Sequence, residues 1–215
     1  MLNIALPKGR LGKNVYQLFA AAGYSAEGMP ETDRRLVYEK AEAGIRYFLV
    51  KPSDVATYVE RGTADVGVAG SDVLIEQNPA VYELLDLGIG RCRVAVAAKN
   101  GFSDEPSAPL RVATKYPNIA RDYYKKQNRE IELILLHGSI ELAPILGLSD
   151  VIVDIVETGG TLKENHLSII KVIKEVSARL IANRTSYRFK QNEITTLVGK
   201  LQGAGKAPQS FAGGG

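Results

Sequence analysis

Short apolar runs alternate with segments of helical periodicity along most of this 215-residue chain. Such alternation favours a mostly parallel sheet with helices on its faces, because parallel neighbours need long crossover connections. The sequence predicts strands at 2–6, 36–38, 47–50, 64–69, 81–87, 93–98, 110–114, 131–136 and 151–156. It predicts helices at 15–22, 53–60, 70–77, 117–127, 139–146 and 185–201.

The segment 167–183 is rich in Ile and Val with charges in between. We interpret it as two strands that return to the first lobe, and a helix remains the alternative because the periodicity is ambiguous. A chain of this length suits two lobes that share a cleft. The predicted lobes are 1–90 with 180–215, and 91–179.

The composition excludes several classes of function. The net charge is only +3, and the basic residues form no run with interleaved aromatic residues, so nucleic acid is not an expected partner. Two histidines and the single Cys92 lack zinc-ligand spacing and allow no internal disulfide. With no signal peptide and no long apolar run, we expect a cytoplasmic protein that does not enter the membrane.

The run 154–162 carries the clearest chemical signal. Asp154 and Glu157 stand at the end of an apolar strand, and a Thr-Gly-Gly-Thr turn follows them. Glycines let backbone N–H groups approach phosphate oxygens closely, and threonine hydroxyls add donors. The carboxylates would accept hydrogen bonds from ribose hydroxyls or help to hold a metal. The run therefore favours a sugar-phosphate site over an ordinary β-turn.

A second cluster of candidate residues is cationic. Lys8 and Arg10 flank a glycine directly after the first predicted strand, and Arg34, Arg35 and Lys51 lie at other strand margins. Ligands bind at the carboxyl ends of parallel strands, where several cations would suit a pyrophosphate group. The alternative is that each cation is a solvated surface charge.

Taken together, six motifs resemble those of the ATP phosphoribosyltransferase family over residues 1 to about 200. They are Leu6-Pro7-Lys8-Gly9-Arg10, Val50-Lys51-Pro52-Ser53-Asp54-Val55, Asp65-Val66-Gly67-Val68-Ala69-Gly70-Ser71-Asp72-Val73, Ala113-Thr114-Lys115-Tyr116-Pro117-Asn118, His137-Gly138-Ser139-Ile140-Glu141, and the run 154–162.

The resemblance implies an enzyme that transfers the phosphoribosyl group from phosphoribosyl diphosphate to N1 of ATP and releases pyrophosphate. This reaction is the first step of histidine biosynthesis, and Mg²⁺ would arrive bound to the substrate. The implied fold is a two-lobed α/β arrangement similar to type II periplasmic-binding proteins, with mixed or parallel sheets and the active site in the inter-lobe cleft.

The resemblance also implies roles for residues of this chain. Three catalytic cations would act on the diphosphate: Lys8, Arg34 and Lys51. The residues that would bind phosphoribosyl diphosphate are Asp154, Glu157, Thr158, Gly159, Gly160, Thr161 and Leu162. Those expected at the nucleotide are Arg10, Leu11, Asp72, Tyr116, Gly138 and Glu141, the last two in a turn that faces the sugar phosphate. No residue is assigned as a direct metal ligand.

Two departures from the family pattern matter. Many members carry Arg where this chain has Lys51, and lysine lacks the bidentate fork of arginine. The family's long form has a C-terminal regulatory domain, which this chain lacks. It is therefore similar to the short form, which works in a hetero-octamer with a regulatory subunit similar to histidyl-tRNA synthetase.

Two other functions remain open at this point. The same bilobal fold could serve a non-catalytic cytoplasmic sensor of a small molecule, because a fold does not determine a function. The chain could also be a phosphoribosyltransferase for another base.

Overall fold

The computed structural model of the chain describes residues 1–26 and 35–206. In this part of the chain the strands are β1 (Leu2–Pro7), β2 (Val37–Lys40), β3 (Ile45–Val50), β4 (Val66–Gly70), β5 (Val81–Asp86), β6 (Cys92–Lys99), β7 (Leu110–Thr114), β8 (Ile131–Leu135), β9 (Val151–Val156), β10 (Leu167–Val176) and β11 (Ala178–Asn183). The helices are α1 (Arg10–Ala21), α2 (Val55–Glu60), α3 (Ser71–Gln77), α4 (Pro117–Lys125), α5 (Leu142–Ile145), α6 (Gly160–Glu164), α7 (Arg184–Phe189) and α8 (Gln191–Lys206).

These elements form two compact units. The first contains the described residues of Met1–Leu74, Asn78–Gly90 and Ser177–Gly215, and the second contains Ile75–Gln77 and Arg91–Val176. The lobe limits 1–90 with 180–215, and 91–179, remain a prediction from the sequence.

The first unit is built on a six-stranded sheet with the order β2-β3-β1-β4-β11-β5. Strands β3, β1 and β4 are parallel, whereas β2, β11 and β5 pair antiparallel with their neighbours. Side chains of β1 alternate between two apolar clusters: Leu6 packs with residues of α1 and α8, and Ala5 packs with residues of α2. Helices therefore cover both faces, as period-2 alternation in a central strand requires.

The second unit is built on a five-stranded sheet with the order β10-β6-β9-β7-β8. Strands β9, β7 and β8 are parallel, and β6 is antiparallel to both β9 and β10. Val153 on one face packs in the cluster that contains residues of α4, and Ile152 on the other face packs with residues of α5 and α6.

The predicted α/β fold with mixed or parallel sheets is confirmed, and both sheets are mixed. The antiparallel strands are those that the alternation of strands and helices alone does not indicate. The segment 167–183 forms two strands, so the helical alternative is wrong. Only β11 joins the sheet of the first unit, however, and β10 pairs with β6 in the second. The single residue Ser177 separates these strands.

Two helix predictions also need correction. The helix expected at 139–146 covers only Leu142–Ile145. Ser139 has a positive φ of 49°, so a regular helix cannot begin at that residue. The helix expected at 185–201 is divided at Lys190, whose φ of −122° separates α7 from α8. Asn183 caps α7 by accepting hydrogen bonds from the N–H groups of Thr185 and Ser186.

Within the described residues, no helix is long and apolar enough to span a membrane.

Candidate active site

The three parallel strands of the second sheet end side by side. Leu135 at the end of β8 is paired with Thr114 at the end of β7, and Thr114 is paired with Val153 of β9. The segments that follow these strands carry three of the sequence motifs, at 115–118, 137–141 and 157–162. The fold thus brings together at one sheet edge the residues predicted for the sugar phosphate and part of those predicted for the nucleotide.

The predicted phosphate loop is a tight turn between β9 and α6. Gly159 adopts a left-handed conformation, with φ 81° and ψ 5°, and caps the short helix. The Gly160 N–H points to the Thr158 hydroxyl at 3.4 Å. The N–H groups of Thr161 and Leu162 have no acceptor among the described residues, as expected for the first turn of a helix. The loop therefore presents free donors to an anion.

The loop's side chains face different environments. Glu157, Thr158 and Thr161 are exposed, whereas Leu162 is buried in the apolar cluster beneath the turn. Leu162 therefore anchors the loop to the unit, and its backbone N–H is the part of the residue suited to a ligand.

Asp154 lies in β9, just before the phosphate loop, and its side chain is only 16% exposed. Its Oδ1 atom accepts the Ile155 N–H at 2.7 Å and forms an ion pair with Lys115 Nζ at 3.3 Å. Its Oδ2 atom accepts no hydrogen bond from the residues of 1–26 and 35–206. Burial, the largest effect, raises the pKa of Asp154, and Glu141 adds to this increase while Lys115 opposes it.

Thr114 fixes the backbone next to this ion pair. Its fully buried hydroxyl donates to the Val153 carbonyl at 2.6 Å and accepts the Tyr116 N–H at 2.8 Å. The Thr114 hydroxyl therefore links the end of β7 to β9, and it also fixes the backbone of Tyr116 on the other side of Lys115. The ammonium group of Lys115 also lies 5.1 Å from the centre of the largely buried Tyr116 ring.

The turn after β8 carries the other two predicted residues of this unit. Gly138 is exposed, and the Leu142 N–H bonds to the carbonyl of the left-handed Ser139 at 3.1 Å. Glu141 is half-buried, and its charge acts on Asp154. The turn and the phosphate loop therefore belong to the same edge of the sheet.

The parallel strands of the first sheet also end together. The Lys8 N–H donates to the Val50 carbonyl at 2.8 Å, so the ends of β1 and β3 are adjacent, and β1 also pairs with β4. Lys8 and Lys51 are exposed directly after their strands. Asp72 is buried near the start of α3, after β4.

In the turn from β1 into α1, the backbone of Gly12 packs directly against the backbone of Pro7. Gly9 has a positive φ of 87°, and Arg10 is the first helical residue. A Cβ atom on Gly12 would lie 1.7 Å from the Pro7 carbonyl oxygen, so this position accepts only glycine without a backbone shift. Leu11 packs against Gly90, where an added Cβ would lie 2.8 Å from its side chain. Three of the predicted residues of the first unit, Lys8, Arg10 and Leu11, thus depend on one short segment and its close packing.

Arg34 lies outside the described residues. The neighbouring Arg35 has its guanidinium carbon 5.4 Å from the centre of the Tyr38 ring. His137 and His166 are exposed. No group of three or more His, Cys, Asp or Glu residues suited to a metal occurs in the described ranges.

Sequence reasoning missed Lys115 as a site residue, although it quoted the motif that contains it. The available signal was its position directly after β7, at the edge where Asp154 was already expected. Scattered lysines are usually solvated, and only the register of β7 against β9 brings Lys115 to Asp154.

Comparison with known proteins gives a consistent result. Residues 51–203 match the family model described as HisG, ATP phosphoribosyltransferase. A protein named ATP phosphoribosyltransferase from Brachyspira hyodysenteriae is 55% identical over 203 residues, covering 94% of this chain and 98% of the relative. One from Clostridioides difficile is 50% identical over 198 residues, covering 92% and 95%.

A solved structure agrees with these relatives. It is described as an ATP phosphoribosyl transferase (HisG:HisZ) complex from Thermotoga maritima, and the matched chain has a TM-score of 0.84 with 37% sequence identity. The match covers 95% of this chain and 98% of that chain.

Proposed function

Because the chain belongs to the ATP phosphoribosyltransferase family and catalyses the first step of histidine biosynthesis, we propose that residues 157–162 and Asp154 bind phosphoribosyl diphosphate. One observation carries this proposal: the left-handed Gly159 leaves the N–H groups of Thr161 and Leu162 without acceptors, close in sequence to a carboxylate whose Oδ2 accepts no hydrogen bond from the described residues. Free N–H groups suit the 5′-phosphate, and a carboxylate suits ribose hydroxyls.

The reaction forms a bond between adenine N1 and the anomeric carbon of the ribose, and breaks the bond from that carbon to the diphosphate. Positive charge develops on the sugar and negative charge on the leaving group, so the protein acts mainly by positioning and by charge stabilisation. Lys8, Arg34 and Lys51 are proposed to stabilise the diphosphate. N1 already has a lone pair, so no histidine is given an acid–base role.

Six residues are proposed to contact the nucleotide. Arg10, Leu11 and Asp72 lie at or near the ends of strands in the first unit, and Tyr116, Gly138 and Glu141 lie near strand ends in the second. Exposed Arg10 suits phosphate groups, and a buried carboxylate such as Asp72 suits hydrogen-bond donors.

Magnesium is proposed to enter bound to the diphosphate of the substrate. Mg²⁺ is commonly bound through substrate phosphates and only one or two carboxylates. When bound, the ion would neutralise charge on the leaving group.

A regulatory partner is part of the proposal. The Thermotoga maritima relative is described in complex with HisZ. We expect this chain to work with a separate subunit of the same kind, similar to histidyl-tRNA synthetase. The cytoplasmic location remains a prediction from the sequence.

The test measures pyrophosphate release from ATP, phosphoribosyl diphosphate and Mg²⁺, with and without a HisZ subunit. Gly159→Val should raise the KM for phosphoribosyl diphosphate at least about tenfold through the displaced loop, while the KM for ATP changes little. Gly101→Val is the matched control, because Gly101 also has a positive φ, of 82°, and an open Cβ position in the same unit. An equal effect of both substitutions on the KM for phosphoribosyl diphosphate would contradict the loop assignment.

A further inference from the structure

The ion pair between Lys115 and Asp154 joins the ends of two neighbouring strands. Lys115 follows β7, and Asp154 lies in β9, with 3.3 Å between Nζ and Oδ1. The Lys115 side chain is 39% exposed, so its ammonium group remains hydrated while it contacts a carboxylate that is largely buried. Lys115 therefore pairs with the buried carboxylate without losing its own contact with solvent.

Lys115 favours the form of Asp154 that accepts hydrogen bonds with both oxygens. A buried carboxyl group favours its neutral form, and burial raises the pKa of Asp154 accordingly. Glu141 acts in the same direction, so Lys115 and the Ile155 N–H are the groups that favour the ionised form. Only the ionised form offers both oxygens purely as acceptors.

The residues around Lys115 also hold the contact between Lys115 and Asp154 in place. Thr114 and Tyr116, on either side of Lys115, are fixed by the buried Thr114 hydroxyl, which bonds to the backbone of both β9 and Tyr116. The Tyr116 ring supports the ammonium group at 5.1 Å. The Ile155 N–H and the closest approach of Lys115 both fall on Oδ1, and Oδ2 accepts no hydrogen bond within the described residues.

We propose that Lys115 is a positioning residue for phosphoribosyl transfer: it holds Asp154 as an oriented carboxylate, and Oδ2 then accepts a ribose hydroxyl of phosphoribosyl diphosphate. The inference rests on the proposed function of Asp154. It differs from a direct role, in which the remaining N–H donors of Lys115 would contact a phosphate group of the substrate.

A double-mutant cycle separates these two roles. The variants are Lys115→Met, Lys115→Arg, Asp154→Asn and the double variant Lys115→Met/Asp154→Asn, assayed with the regulatory subunit if the wild type requires it. Lys126→Met is the matched control, because Lys126 is an exposed lysine of the same unit at the end of α4. Thermal melts confirm that each variant is folded.

We expect Lys115→Met to raise the KM for phosphoribosyl diphosphate on the order of tenfold, the effect of losing one charge-assisted contact. The KM for ATP should stay close to that of the wild type, and Lys115→Arg should restore most of the lost affinity. The double variant should be no worse than Asp154→Asn, because Lys115 then has no carboxylate to position. The double variant also contains no unpaired carboxylate, so its stability should recover as well. The comparison is therefore made on KM, which does not depend on the fraction of enzyme that is folded.

Each other outcome has a distinct meaning. Losses that multiply in the double variant overturn the positioning role and indicate direct contact with the substrate. A Lys115→Met enzyme that matches Lys126→Met also overturns it. An unchanged KM in Asp154→Asn contradicts the assignment of Asp154 itself, and a wild type without turnover contradicts the proposed function.

Discussion

Replacing Gly12 with alanine tests the closest backbone approach near the first candidate edge. The added Cβ would lie 1.7 Å from the Pro7 carbonyl oxygen, whereas carbon and oxygen atoms ordinarily approach no closer than about 3.3 Å. The end of β1 and the first turn of α1 must therefore separate by roughly 1.5 Å, because neither partner is a flexible side chain. We expect a loss near the upper end of the range for overpacking, about 3 kcal/mol of unfolding free energy.

The substitution should also affect catalysis. The segment that has to move contains Lys8 and Arg10, so kcat/KM for ATP should fall by a factor on the order of ten or more beyond any loss of folded protein. Gly199→Ala is the control. Gly199 is an exposed residue in α8 with open space at its Cβ position, so alanine there should stabilise the protein by about 0.5–1 kcal/mol.

Urea denaturation followed by circular dichroism gives the midpoints, and steady-state kinetics on the same preparations gives kcat/KM. The two substitutions add the same methyl group to a helix, so their difference isolates the contact with Pro7. A Gly12→Ala protein with wild-type stability and kcat/KM would refute the steric reasoning.

Four further predictions concern single side chains. Lys8→Ala should lower turnover by a factor on the order of 10²–10³, and near-normal turnover would remove Lys8 from the leaving-group role. Thr114→Val should cost about 1–3 kcal/mol in urea unfolding, because the Tyr116 N–H loses its acceptor, while Thr114→Ser should remain close to wild type. The raised pKa of Asp154 means that its carboxyl contributes stability at low pH that is lost as the pH rises through that pKa; Asp154→Asn should therefore melt at or above the wild-type temperature at neutral pH, with a difference that shrinks towards pH ~4. The Arg111 guanidinium lowers the pKa of Asp150, so Asp150→Asn should lose about 1 kcal/mol at neutral pH, and this difference should vanish as the pH falls through the lowered pKa.

Strands buried on both faces could be predicted closely from the sequence. Leu110–Thr114 and Val151–Val156 form strands with the predicted limits, because apolar runs of this length bounded by turn residues have few other stable conformations. The turn at 158–161 could also be predicted, since Thr-Gly-Gly-Thr after an apolar strand favours a tight turn before a helix, whereas its binding of a phosphate group remains a prediction.

Pairing partners could not be predicted in the same way. The pattern of 167–183 allowed strands, but local periodicity contains no information on which sheet each strand joins. The same limit explains why Lys115 was missed: its contact with Asp154 depends on strand register and not on spacing along the chain. The role of Arg34 at the diphosphate remains a prediction, because this residue lies outside the described residues.

The position of β11 has a consequence for biosynthesis of the chain. This strand lies between β4 and β5, so β5 has no partner in its sheet until residues 178–183 are available. During synthesis, the first unit therefore cannot complete this hydrogen-bond ladder before residue 183 has left the ribosome, and its open strand edges are prone to aggregation until then. Newly made chains should consequently depend on chaperones until β11 has emerged.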